Sequence, residues 1–416
     1  MTRSPDLWIE AEGLRRGPRA EALSPAYVLV RGGRVVSVRS DDRDRPRDPL
    51  PTLRGGWLVE PLADAHVHLF LPGSFDPADR SRVTNAGRED ALERILGLLE
   101  DYRARGVAAV RDGGDPRGLA LEAARVANPR PERYARVLPA GEALFRKGYY
   151  GSFLGRGAAG LSEAEAILRE NAAAGATHAK ILATGLNSLD EVGGVSAGGF
   201  SAGDLGRLCG AARGLGLRVM VHANGPLGAV LATGPDSVEH GFGCDPGDLG
   251  RLAAGGVVWV PTLRAWQALE EHPALTGRQK AVVRTTHARH LAEVAEGAAR
   301  RVSIAAGSDA GTPGVEHGDG LVEELRLLAE ALGDPGAALA AATYHARALC
   351  EAEAGAPVGG LAEGGPAGFV WLAADPAGHW DGLREPRGVY LGGTWTGADP
   401  DEVGGGRRPL TPALSP

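Results

Sequence analysis

Asp64-Ala65-His66-Val67-His68 closes an apolar, extended-looking stretch that begins at Trp57 and runs to Leu69. Side chains of a strand alternate between faces, so His66 and His68 share one face, about 7 Å apart at a rise of ~3.3 Å per residue. Two imidazoles on one face at a strand end suit one metal ion. Asp64, two residues before His66, faces the same side and is a candidate to orient a ligand.

Working outward from this stretch, β-rich segments recur at residues 59–68, 107–112, 134–140, 177–184, 218–222, 237–240, 257–262 and 303–309. Helical patterns lie between them, at 91–105, 162–174, 202–215 and 278–300. Ser162 followed by Glu165 has capping-box spacing. This alternation predicts an α/β chain folded as a (β/α)8 TIM barrel. Near the start, residues 26–38 hold two β-rich runs around Gly32-Gly33, a hairpin signal. Two more β-rich patches, 368–373 and 388–395, lie near the other end. They predict a small β-sandwich module built from both chain termini, residues 1–58 plus 356–400, on a barrel domain of 59–355. Residues 401–416 are expected to be a disordered tail, because the Gly/Pro-rich stretch from Gly404 has little to bury.

Composition narrows the function. The 416 residues carry a net charge of -7, and no basic block points to nucleic acid or to an acidic membrane surface. No uninterrupted apolar run of about 20 residues suggests a membrane span, and MTRSPDLWIEAEG lacks the apolar core of a signal peptide. Cys209, Cys244 and Cys350 are sparse and form no CxxC. A reducing compartment, and so a cytoplasmic location, is expected. The expected partner is a small-molecule substrate; a homo-oligomer is compatible with the composition.

In such a barrel the chemistry sits at the carboxyl ends of the strands. His66 and His68 end the first candidate strand, Lys180 lies in the fourth, His222 ends the fifth, His240 the sixth and Asp309 the eighth. This ordered set resembles the amidohydrolase superfamily: HxH on strand 1, Lys on strand 4, His on strands 5 and 6, Asp on strand 8. The resemblance is greatest to its imidazolonepropionase-like and prolidase-like branch, and it covers nearly the whole chain, including the helical stretch 337–349. One departure is that Pro61 is followed by Leu62 where the family usually has Gly; this alters a turn and no ligand.

The resemblance implies two divalent metal ions. His66, His68 and Asp309 would hold one, His222 and His240 the other, with Lys180 bridging them after carboxylation by CO2. Imidazoles and carboxylates suit Zn2+ first, and also Mn2+, Co2+ or Fe2+. Carboxylation needs a neutral amine, which burial favours for Lys and which Arg cannot supply. The lysine count supports this: only Lys147, Lys180 and Lys280 occur among 45 basic residues. Asp309 is the candidate general base and then acid.

The implied activity is hydrolysis of an amide-type C–N bond in a dipeptide, an N-acyl amino acid or a cyclic amide. One alternative is a mononuclear deaminase of a heterocycle, but its acidic Glu three residues after the strand-5 His is replaced by Gly225. Lactone or ester hydrolysis would use the same machinery, whereas a purely structural metal site would favour thiolates. Loops after the strands set specificity, and there Tyr150, Arg264 and His317 are candidate substrate contacts. Arg146, Lys147, Tyr149, Asn187, Ser188 and Trp266 lie in the same loops, and the Gly-rich loop 185–200 is a candidate lid. His178 is expected to pack in the core, and His272, His287 and His290 to be solvated on a polar helical stretch.

Overall fold

The computed structural model describes residues 6–397. The expected tail at 401–416 lies outside the described residues, as do 398–400 of the expected terminal module. The described chain has a mixed α/β fold.

Hydrogen bonds join parallel segments side by side. Leu62–Val67 pairs with Val107–Asp112, which pairs with Arg136–Leu138. Thr177 N donates to Pro139 O, linking that segment to His178–Leu182. His178–Leu182 then pairs with Arg218–Ala223, Arg218–Ala223 with Ser237–His240, and Ser237–His240 with Val258–Val260. Residues 303–310 complete the series. Trp259 bridges Ile304 on one side, and Val67 bridges Ala310 on the other. The series therefore returns to the strand where it began. Parallel direction puts every carboxyl end at the same rim.

The segment expected as an eighth strand forms isolated bridges rather than a ladder. Its amides serve two neighbours in turn: Ala305 N donates to Trp259 O, and Asp309 N to His66 O. Two short strands that the sequence pattern did not suggest, Ala143–Arg146 and Gly155–Ala158, pair in parallel beyond the third segment. The loop 185–200 contains a small hairpin, in which Thr184–Asn187 pairs with Val195–Ala197.

The helix Gly277–Ala299 corrects one expectation. Thr276 and Gln279 form its capping box, and its buried residues include Val283, His287, His290, Val294 and Gly297. That spacing is one helical face. His287 and His290 are therefore buried, not solvated. His287 pairs with Glu270 at 2.8 Å, and a ring nitrogen of His290 lies 2.9 Å from Pro261 O. His272 ends the preceding helix and sets its ring edge against Phe75.

Both ends of the described chain meet in a second region. One sheet contains Leu7–Ala11, Ala26–Arg31, Arg34–Arg39 and Thr52–Arg54. The other joins Gly13–Arg16, Glu21–Leu23 and Trp57–Val59 to Phe369–Leu372, Gly388–Leu391 and Thr394–Gly397. The two sheets share one buried cluster, which includes Ile9, Val28, Leu58, Phe369, Trp371 and Tyr390. Trp371 is fully buried, and its Nε1 donates to Gly55 O at 2.9 Å. Trp371→Ala should cost about 3–5 kcal/mol, through the lost transfer energy and the cavity left behind. Urea denaturation followed by circular dichroism would read this as a lower midpoint; an unchanged midpoint would remove Trp371 from the core's support.

Candidate metal centre

The six predicted ligands converge at the carboxyl rim. Lys180 Nζ lies 3.2 Å from His66 Nε2. Asp309 Oδ1 lies 3.3 Å from His68 Nε2 and 3.7 Å from His66 Nε2. The His222 and His240 rings are 4.6 Å apart between centroids, and His240 is 5.1 Å from His66. His66, His68 and Asp309 can offer ligand atoms that all lie within 4.8 Å of one another.

Backbone geometry contributes to the convergence. His240 and Asp309 both have left-handed φ, 65° and 57°. Such values are uncommon for residues other than glycine and concentrate at functional sites. Gly113 leaves room at the back of the cluster, since a Cβ there would come within 2.6 Å of His68 Cε1.

Electrostatics suit metal binding. Burial pushes His66 and His240 well below the usual imidazole range, and lowers His222 to about 4. The imidazoles are therefore neutral at pH 7 and keep a lone pair for a cation. Burial also lowers Lys180 to about 8, with Glu239 and Asp309 opposing the shift. A neutral, nucleophilic amine is thus accessible near neutral pH. Burial pushes Asp309 up, but the contact with His68 and the nearby His66 and Lys180 outweigh it and hold the carboxyl below its ordinary range. Asp309 Oδ1 and His68 Nδ1 are buried without a hydrogen-bond partner. A buried acceptor left without a donor is costly, and a cation at this point would satisfy it. The donor set therefore fits divalent metal ions.

Behind the ligands, Glu239, Arg111, Glu353 and Thr262 escaped the sequence reading, whereas Asp64 did not. Glu239 Oε2 lies 2.7 Å from His66 Nδ1, and its other oxygen accepts from Arg111 at 3.1 Å and from Ser237. With Nδ1–H donated to Glu239, His66 presents its Nε2 lone pair to the cluster. Arg111 also bonds Glu353 at 2.7 Å, and His178 Nδ1 lies 3.0 Å from Glu353 Oε2. Thr262 Oγ1 sits 2.7 Å from His240 Nδ1. Asp64 accepts from the Ser308 amide and hydroxyl, at 2.9 and 2.6 Å, and from the His66 amide. Asp64 thus ties the first strand to the eighth segment by way of the backbone.

A cavity of about 480 Å³ opens onto the cluster, lined by His68, Lys180, His222, His240 and Asp309 at its polar end. Tyr150 lines it too, with its ring 5.5 Å from that of His222. Asn187, Leu186 and Leu189 of the hairpin loop and Trp266 form part of the wall. Arg264 and His317 are not brought to this wall. Arg264 donates to Gly314 O at 2.9 Å and to Gln267 at 3.0 Å. His317 has one ring nitrogen 3.1 Å from the Tyr102 hydroxyl and the other 3.0 Å from Leu71 O.

No protein-family model matches the chain. A protein of Mycobacterium tuberculosis (strain H37Rv) described only as uncharacterised is 28% identical over 350 residues, which span 82% of this chain and 85% of that protein. In fold the chain is similar to a Xaa-Pro dipeptidase solved with methionine in its active site. The TM-score is 0.79 at 20% identity, covering 94% of this chain and 100% of the other. It is also similar to the A. niger ochratoxinase, with a TM-score of 0.77 at 21% identity, covering 94% and 96% of the two chains. The chain thus shares its fold with these two solved structures.

Glu239→Gln tests the support behind His66. An amide cannot accept from both Arg111 and His66 as the carboxylate does. Metal affinity should fall roughly 10–100-fold, read by competition with a chromogenic chelator. Unchanged affinity in a folded variant would show that Glu239 does not tune the site.

Proposed function

We propose that this chain is a metal-dependent hydrolase that cleaves an amide-type C–N bond with a binuclear centre. The reading takes residues 59–355 as a (β/α)8 barrel and residues 1–58 plus 356–400 as a β-sandwich module on it. In support, a ring of parallel segments carries the centre at one rim, and two sheets share a core beside it. His66, His68 and Asp309 would hold one ion and His222 and His240 the second, with carboxylated Lys180 as a ligand to both and Zn2+ the first candidate metal.

The observation that carries the reading is the position of Lys180. It is the one lysine buried in the described chain, and its amine lies 3.2 Å from His66 Nε2 within the imidazole cluster. A lysine with only a structural role would gain nothing from this place. A carbamate, formed from the neutral amine and CO2 with loss of a proton, would turn that place into an anionic oxygen donor for the cations. Divalent ions held here supply Lewis acidity toward a substrate carbonyl and lower the pKa of water.

The chain's own residues supply the remaining chemistry. Asp309 accepts a proton from the attacking water and passes it to the departing nitrogen. Glu239 and Thr262 hold His66 and His240 in orientation through their Nδ1 atoms. Tyr150 and the apolar wall limit water around the scissile bond. The substrate is a dipeptide, an N-acyl amino acid or a cyclic amide, and a lactone or ester would fit the same machinery. The single-ion deaminase reading has less support, because Gly225 offers no acid where one is needed.

Metal analysis tests this directly. Zinc-loaded protein should hold about two ions per chain, and a chelator should abolish turnover until metal is restored. With 13C-bicarbonate, the wild type should show a carbamate carbon signal and Lys180→Ala should not. Lys180→Ala should also lose one ion and fall to background turnover. A variant that keeps two ions and full turnover would sink the bridging role.

A further inference from the structure

Glu324 lies in helix Asp319–Leu332 and is fully buried. Its Oε2 accepts from the amide of Arg264 at 2.7 Å, and the amide of Leu263 also bonds the carboxyl. These are the first two amides of helix Leu263–Glu271. The first amides of a helix have no partner within it, and the residue just before them ordinarily supplies a side-chain oxygen. Here that residue is Thr262, a type well suited to the task. It makes no capping bond, and its backbone is left-handed, with φ 51° and ψ 48°. Its Oγ1 lies instead 2.7 Å from His240 Nδ1. The third amide, that of Ala265, donates to Thr262 O at 3.2 Å.

This arrangement is more costly than an ordinary cap. Glu324 Oε1 is buried without a hydrogen-bond partner, and burial pushes the carboxyl up to about 8. An unpaired buried acceptor is unfavourable, and a threonine hydroxyl would cap the helix without burying a carboxyl. What the arrangement provides is the freedom of Thr262. With two amides bound to Glu324, the Thr262 oxygen can receive Nδ1–H of His240, and Nε2 of that ring keeps its lone pair. The same helix carries Ala265, Trp266 and Leu269 into the cavity wall.

We propose that Glu324 is a positioning residue for the second metal site: by capping helix Leu263–Glu271 in place of Thr262, it leaves the Thr262 hydroxyl to fix the His240 ring. This rests on the binuclear reading above and adds a residue that acts on the site from a distant helix. Glu324 works through Thr262 and takes no part in the chemistry.

Cobalt titration of the metal-free protein, read by visible absorption and by competition with a chelator, tests this. Glu324→Ala should weaken one of the two ions roughly 10-fold, the lower end expected for loss of a group that supports a ligand. Thr262→Val should do the same. Adding Glu324→Ala to Thr262→Val should weaken that ion no further, because the two residues act in series. Glu324→Gln keeps an oxygen for both amides and should bind cobalt as the wild type does. Glu324→Met fills similar space without an oxygen acceptor, and carries the comparison if the Ala variant does not fold. A purely structural cap would lower the urea midpoint equally in both backgrounds and leave cobalt affinity unchanged. That outcome overturns the assignment, as does a fully additive loss in the double variant. If the wild type binds fewer than two ions, the binuclear reading is what fails, and 15N NMR of the histidines in the metal-free protein then decides the role of Glu324. His240, assigned by the signal lost in His240→Gln, should carry its proton on Nδ1 in the wild type and lose that preference in Glu324→Ala. The same tautomer balance in both proteins overturns the proposal.

Discussion

One carboxylate holds the centre of this molecule together. Glu239 is fully buried and receives Arg111, Ser237 and His66 at once. A buried carboxylate without partners costs several kcal/mol, so it persists only where geometry is good and its lone pairs are satisfied. The chain of charges continues through Arg111 to Glu353 and on to His178. It thereby couples the first, second, fourth and sixth parallel segments to the helix Arg347–Ala354. Sliding any of these strands by one residue would strand a charge in the interior. The same carboxylate orients His66, so the constraint that sets strand register also sets the orientation of a candidate metal ligand.

Backbone strain at the rim is the second ingredient. His240, Thr262 and Asp309 all have left-handed φ, at the ends of three neighbouring segments. Each such conformation costs about 1–3 kcal/mol and survives only where its surroundings over-determine it. Here Trp259 Nε1 holds His240 O at 2.8 Å, and Asp309 N holds His66 O at 2.8 Å. The turn brings side chains that would otherwise diverge around the ring to face one axis. Lys180 and Asp309 then share a small volume with four imidazoles, a combination of donors that favours a cation.

Much of this was readable from residue order alone. Period-2 alternation places His66 and His68 together, and the strand–helix rhythm places Lys180 within the fourth strand and His222, His240 and Asp309 at strand ends. The residues that were not readable share a reason. Ser237 and Glu239 alternate on one face of their strand, and both project toward Arg111. His240, one residue on, reaches the cluster because its left-handed turn breaks the alternation. Arg264 and His317 carry the right chemistry for a substrate site, but backbone carbonyls of neighbouring loops engage them first. His287 and His290 sit among polar neighbours, yet a three- and four-residue spacing places them on the inner face of their helix.

The sequence by itself determined the candidate ligand types, their order and the strands that carry them, because those depend on local periodicity and on chemistry each residue carries alone. Tertiary structure decided which groups remain available to them. Thr262 stands where a helix cap is expected, and only the approach of Glu324 from a distant helix takes over the first amides and leaves the Thr262 hydroxyl to His240.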